Sequence, residues 1–190
     1  MSALTHQTDE QLFRLMKKGD KRAFAELYER REPALHRYAL HMTGSSQAAE
    51  EIAHEVFVQL MSAHTRFDEE RGSLEAWMYG VARNLIRALR RKNSYSVLGE
   101  PAEPVFDHNI LGSLIDGETV AALHAAISEL PDGYREAVVL CDLEERNYDE
   151  AALLAGCPVG TIRSRLHRAR GLLAAKLRKT RNVNAHAFAR

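Results

Sequence analysis

The stretch Tyr148-Asp-Glu-Ala-Ala-Leu-Leu-Ala-Gly156-Cys-Pro158-Val-Gly-Thr-Ile-Arg-Ser-Arg-Leu-His-Arg-Ala-Arg170 decides how this chain is read. It predicts a short helix, Tyr148–Ala155, a turn through Gly156-Cys157-Pro158, and a long helix from Pro158 to about Arg178. Two helices joined so tightly have the spacing of a helix-turn-helix. Gly156 suits the stop of the first helix, and Pro158 the first position of the second, where its missing N–H costs little. At 100° per residue, Ile162, Leu166, Ala169 and Leu173 fall within about 60° and form a buried stripe. Gly160, Arg163, Ser164, His167 and Gly171 take the opposite face, with Thr161, Arg165 and Arg168 on a flank. A recognition helix reads base edges with its N-terminal half, so Arg163 is placed to chelate a guanine, and Ser164 and His167 to act as shorter readers or phosphate donors. Gly160 lets the backbone approach a duplex, while Arg165, Arg168 and Arg170 suit phosphates. An amphipathic basic helix on a protein surface would share this periodicity.

Working outward, charge supports a polyanion ligand although its total does not. The 190 residues hold 26 Lys and Arg against 26 Asp and Glu. By segment, residues 1–95 carry a net +2, residues 96–134 a net −7 with no Lys or Arg, and residues 135–190 a net +5. Nine bases and no acid lie between Thr161 and Arg190, and five bases and no acid between Arg83 and Lys92. Two basic elements either side of an acidic stretch suggest two contacts with a polyanion, though a solvated basic face would look the same.

The rest of the chain reads as all-α, in two small helical domains joined by a flexible acidic linker. Thr8-Asp-Glu-Gln11 is a capping-box pattern opening a helix that stops near Gly19. Asp20 caps a second helix to about Thr43, stopped by Gly44 and expected to kink or break at Pro33. Ser45-Ser46 opens a third to about Ala63, and Ser73 caps a fourth from Leu74 to about Lys92. Gly99, Pro101, Pro104 and Gly112 interrupt the linker, which has room for one helical turn at 110–115. Helical periodicity resumes at Thr119. The expected domains are 1–95, a linker 96–118, 119–181, and a frayed tail 182–190.

On the fourth helix Leu74, Trp77, Met78, Val81, Leu85 and Ala88 read as the core stripe. Arg83, Arg87 and Arg90 then point away, with Tyr79 beside them and Asn84 on the flank, a face suited to phosphates and an exposed base. On the third helix Ile52, Val56, Leu60 and Ala63 face the core. Val58 and Met61 lie on the far side with Glu50, Glu51 and His54; apolar residues among exposed carboxylates suggest a protein contact.

Leu130-Pro131-Asp-Gly-Tyr-Arg135, Tyr148-Asp-Glu-Ala-Ala and Gly156-Cys-Pro-Val-Gly-Thr-Ile-Arg-Ser-Arg-Leu-His-Arg-Ala-Arg170 resemble region four of bacterial sigma factors. Ala23-Phe-Ala-Glu-Leu-Tyr28, Ala49-Glu-Glu-Ile-Ala-His-Glu-Val-Phe57 and Gly72-Ser-Leu-Glu-Ala-Trp77-Met-Tyr-Gly-Val-Ala-Arg-Asn84 resemble region two. With no room for regions one and three, the pattern is similar to the extracytoplasmic-function (ECF) group. The resemblance implies a −35 reader in which Gly160, Thr161, Arg163, Ser164, Arg165, His167 and Arg168 meet DNA. It implies −10 recognition and melting by Arg66, Phe67, Tyr79, Arg83, Asn84, Arg87 and Arg90. The loop His64-Thr-Arg-Phe-Asp68 corresponds to the part that captures a flipped base, although Phe67 would serve equally as an anchor to the core. The implied partners are promoter DNA and core RNA polymerase, including its β subunit. Glu50, Glu51, His54, Val58 and Met61 would meet the β′ coiled coil. An anti-sigma protein is a further implied partner with no signature in the sequence. The linker would thread the polymerase's basic RNA path or serve as a spacer. Departures are Ala151 where the family usually has Ile, Glu51 and His54 where Asp and Gln are frequent, and Ala88 where an acid is common.

Two cysteines, Cys141 and Cys157, make neither a disulfide framework nor a metal pattern. Neither a nucleotide-binding glycine loop nor a catalytic constellation is visible, so the expectation is a non-enzyme without cofactor or metal. The start of the chain shows no signal peptide, and no run approaches the roughly 20 apolar residues of a membrane span; a cytoplasmic chain without membrane contact is expected. The competing readings are a stand-alone helix-turn-helix regulator and an anti-sigma-like helical adaptor that touches no DNA.

Overall fold

The computed structural model describes residues 4–62, 67–95 and 117–187, and among these no strand occurs. The helices fall into two compact units, one built on residues 1–103 and the other on most of the residues from 104 onward.

In the first unit, α1 (Asp9–Lys17) opens on the reciprocal capping box: the Thr8 hydroxyl accepts from the Gln11 N–H, and Gln11 Oε1 accepts from the Thr8 N–H. α2 (Lys21–Thr43) is capped by Asp20, whose carboxylate accepts from the Arg22 and Ala23 N–H groups. It ends at Gly44, whose φ of 72° is the left-handed stop that glycine takes without strain. The break expected at Pro33 does not occur. Pro33 removes one helical hydrogen bond, but Leu27, Leu35, Tyr38 and Ala39 hold both sides of it in the core. α3 (Ser46–Met61) is capped by the Ser45 hydroxyl, and α4 (Leu74–Tyr95) by that of Ser73.

Long-range polar contacts fix how these helices meet. Buried Asp9 accepts from both Arg30, at 3.0 Å, and Arg31, and Arg31 also pairs with Glu75 on α4 at 2.6 Å. A buried carboxylate is tolerable only when paired in this way, and here one acid ties α1 to α2. Glu10 Oε1 accepts the otherwise orphaned N–H of Leu74 at 3.0 Å, so α1 also caps α4.

The second unit contains α5 (Gly117–Ser128), α6 (Asp132–Val138), α7 (Tyr148–Ala155) and α8 (Val159–Ala187). The sequence after Leu130-Pro131 predicts one helix from about Asp132 to Asp142, but α6 ends as a regular helix at Val138. A π-turn, Val139–Leu143, replaces its last part, and Glu145 follows with a φ of 53°. Arg135, only 7 % exposed, bonds the carbonyls of Ile127 (3.1 Å), Leu130 (2.9 Å) and Ser128 at the end of α5. A cation over a helix's C-terminal carbonyls satisfies acceptors that water cannot reach and opposes the negative end of the dipole. α8 runs beyond the expected end near Arg178, crossing the 181/182 boundary to Ala187, because no Gly or Pro after Gly171 stops it. The linker turn expected at 110–115 lies outside the described residues.

Candidate nucleic-acid interface

The helix-turn-helix is set by its caps. Asn147 Oδ1 accepts the N–H groups of Asp149 and Glu150, both at 3.0 Å, and Glu150 Oε2 accepts the Asn147 N–H at 3.1 Å. This reciprocal cap fixes where Tyr148 enters α7. Gly156 ends α7 at a φ of 62°, and the Cys157 N–H donates to the Ala152 carbonyl at 3.1 Å. The Pro158 carbonyl then accepts from Thr161 at 2.8 Å and Ile162 at 3.3 Å, making Pro158 the cap of α8 rather than its first residue.

The predicted stripe is the buried one: Ile162, Leu166, Ala169 and Leu173 are all in the core. Burying a side chain such as Ile162 contributes about 1.5–3 kcal/mol, which fixes the helix's rotation and hence what it shows to solvent. Gly160, Arg163, Ser164, His167 and Arg168 are exposed, and Thr161 is half-buried. The Ser164 hydroxyl donates to the Thr161 carbonyl at 3.0 Å, leaving its lone pairs outward. Arg163 has no carboxylate partner among the described residues, and its Cζ lies 5.4 Å from the centroid of the Tyr148 ring.

Two arginines on this helix are more committed. Arg165 is half-buried, with Nη1 3.8 Å from Cys157 Sγ; a Cβ on Gly133 would lie 3.3 Å from its Cζ. Arg170, expected to meet phosphate, instead forms a two-pronged pair with Asp142 at 2.5 and 3.1 Å, which raises its already high pKa. It ties α8 to the π-turn. The Cys141 thiol beside that acid is pushed up, first by burial and then by Asp142.

In the first unit the α4 stripe is displaced from its expected position. Leu74 and Met78 are buried, but Tyr79, Ala82 and Ile86 complete the core, whereas Trp77, Val81 and Leu85 are half-buried and Ala88 is exposed. The helix is rotated by roughly 80° from the hydrophobic maximum of its sequence, because it packs against α2 and α3 and so has two apolar flanks. Tyr79 is therefore not a base-facing residue: it is 1 % exposed, its ring 4.9 Å from that of Tyr38. Arg90 moves to the margin, where it donates to the Met42 carbonyl at the end of α2, and burial lowers its pKa. Arg87 and Asn84 are exposed, and Arg83 is half-buried. Phe67 is an anchor, its ring edge-on to Phe13 at 5.3 Å and to Trp77 at 6.3 Å. Arg66 and Ala63 lie outside the described residues.

On α3 Ile52, Val56 and Leu60 are buried as expected, together with Ala49, Ala53 and Phe57. Glu50, Glu51 and His54 are exposed, as are Val58 at 38 % and Met61 at 51 %. A groove of about 380 Å³ flanks this face, with Glu51 and Glu55 on one wall and Leu85, Leu89 and Lys92 on the other. The structure thus presents an exposed basic face on α8 in one unit and, in the other, an acidic and apolar face on α3 with a basic-polar edge on α4.

Comparison with known proteins agrees with this division. Residues 27–95 match the family described as Sigma-70 region 2, and residues 121–173 that described as Sigma-70, region 4. The chain is 31 % identical over 179 residues to the RNA polymerase sigma-H factor of Pseudomonas aeruginosa, covering 88 % of this chain and 92 % of that protein. It is 29 % identical over 175 residues to the ECF RNA polymerase sigma factor SigW of Bacillus subtilis, covering 86 % and 93 %. Among solved structures it is similar to the sigma factor RpoE of Bartonella quintana in complex with the anti-sigma factor NepR, at 26 % identity and a TM-score of 0.65, covering 82 % of this chain and 96 % of that one. With both regions matched in order, and these two relatives spanned over nine-tenths of their length, the chain belongs to the ECF group of the sigma-70 family of RNA polymerase sigma factors.

Proposed function

We propose that the chain binds core RNA polymerase and directs it to promoters, with α8 in the major groove of the −35 element and the first unit at the −10 element. The single observation that supports this most is α8: a fully used apolar stripe turns Arg163, Ser164, His167 and Arg168 outward together. Arg163 and Ser164 would read base edges, and Arg168 would hold phosphate. At the −10 element, the burial of Tyr79 and the binding of Arg90 to Met42 leave Arg87 and Asn84, with Arg83 beside them, as the contacts on α4.

Glu50, Glu51, His54, Val58 and Met61 would meet the β′ coiled coil, since an exposed apolar pair ringed by acids fits a partner with a matching apolar patch and basic rim. The same face would be available to an anti-sigma protein, the kind of partner that RpoE has in its complex with NepR. Polymerase supplies the catalysis, so the chain acts as a cytoplasmic non-enzyme. Among the described residues no helix is long and apolar enough to cross a membrane.

The net −7 of residues 96–134 offsets the basic segments on either side, so the free chain should gain only weak non-specific affinity from phosphate neutralisation. It should therefore depend on polymerase for its place on DNA. Footprinting tests this: the chain with core should protect −35 and −10 blocks at physiological salt, and the chain alone should protect neither. Full protection by the chain alone would favour a stand-alone regulator.

A further inference from the structure

We infer that Tyr148 is a positioning residue for promoter reading, whose ring orients the Arg163 guanidinium for the −35 element. This deepens the proposal above and rests on Arg163 being a base reader.

An exposed arginine loses considerable side-chain entropy when it takes up a single reading geometry, and this cost opposes binding. A neighbour that narrows its range before DNA arrives reduces the cost. Acids commonly do this, but an acid beside Arg163 would compete with DNA for its N–H groups. Among the described residues Arg163 has no such acid; it has the face of Tyr148, with Cζ 5.4 Å from the ring centroid. An aromatic face attracts the cation electrostatically while leaving the in-plane N–H donors free for guanine O6 and N7.

The ring is itself well placed to act as a fixed post. Tyr148 is the first residue of α7, directly after Asn147, whose reciprocal cap with Glu150 holds the backbone there. Along α8, Arg163 and Arg170 are seven residues apart and within about 20° of one face. Arg170 is held by Asp142 in the π-turn. Tyr148 thus lies along a strip of α8 whose far end is pinned. It remains 39 % exposed, as a residue at the margin of a DNA-binding surface must be.

The stack separates two ways a mutation could fail. If the ring acts through Arg163, its loss should relax preference at the same base pair that Arg163 reads. If its hydroxyl holds a phosphate, loss should weaken all sequences alike.

The test uses holoenzyme assembled from core polymerase and the full chain, with abortive initiation measured on a promoter and on a set carrying every single −35 substitution. The variants are Tyr148→Ala, Tyr148→Phe, Arg163→Ala and Tyr148→Ala/Arg163→Ala. Arg163→Ala should erase discrimination at one or two positions. Tyr148→Ala should reduce discrimination at those positions two- to five-fold, the range of an exposed cation–π contact. Tyr148→Phe should retain it, and the double variant should match Arg163→Ala. Additivity in the double variant, or an equal loss across all templates, would overturn the inference, as would a loss in Tyr148→Phe as large as in Tyr148→Ala. An Arg163→Ala variant that discriminates like wild type would instead overturn the reading of Arg163 on which it rests.

Discussion

Arg135→Ala should destabilise the second unit selectively. Arg135 bonds three carbonyls at the end of α5; those of Ile127 and Leu130 belong to buried residues, whereas Ser128 is exposed and can be hydrated. Hydrogen bonds to charged groups contribute about 1.5–3 kcal/mol each, and truncation leaves their partners without a replacement. Counting only the two buried acceptors gives a loss of about 3–6 kcal/mol. At roughly 0.05–0.15 kcal/mol per residue, a unit of about 70 residues has only some 3.5–10 kcal/mol to lose. Native-state hydrogen exchange on the full chain measures this directly. Protection in α6, α7 and α8 should fall more than a hundredfold, with that of α1 to α4 unchanged. Arg135→Lys, which can reach fewer carbonyls, should fall between. A drop of less than tenfold in α8 for the alanine variant would refute the reasoning, because the carbonyls would then have been satisfied without the arginine.

Glu10 yields a pH prediction. Partial burial works against its charge, but the N–H bonds, foremost that of Leu74, and the Thr8 hydroxyl hold its pKa below the usual 4.5. A depressed carboxylate stabilises the fold above its unfolded pKa, and this stabilisation is lost as pH falls through the folded value. The melting temperature of wild type should thus exceed that of Glu10→Gln by a constant margin near neutrality, and the margin should close below about pH 4.5; a margin independent of pH would refute it. Met61→Glu places a charge on a side chain that is 51 % exposed, so the melting temperature should hold while affinity for core polymerase falls about tenfold or more. Co-elution with core and a melting curve check both halves.

What could be read from sequence depended on how many sides a helix buries. α8 has one apolar flank, so its periodicity located Ile162, Leu166, Ala169 and Leu173 and therefore the outward set. Thr8, Asp20, Ser45, Ser73 and Gly44 are local signals, because a cap bonds backbone within three residues and carries its own composition. α4 packs on α2 and α3, and its apolar arc is too wide for periodicity to centre, which is why Tyr79 is buried and Trp77 only half-buried. Long-range pairs left no local trace: Asp9 lies 21 and 22 residues from its arginines, and Arg170 lies 28 from Asp142. Arg135 is a buried cation in a stretch whose composition suggests a surface, and the π-turn at Val139–Leu143 has no side-chain signature.

The most direct measurement is run-off transcription with purified core polymerase on fragments of the source genome, with and without the chain. The account predicts defined transcripts only when the chain is present, their start sites sharing paired −35 and −10 blocks. Identical transcripts with and without it, together with no co-elution with core, would contradict it.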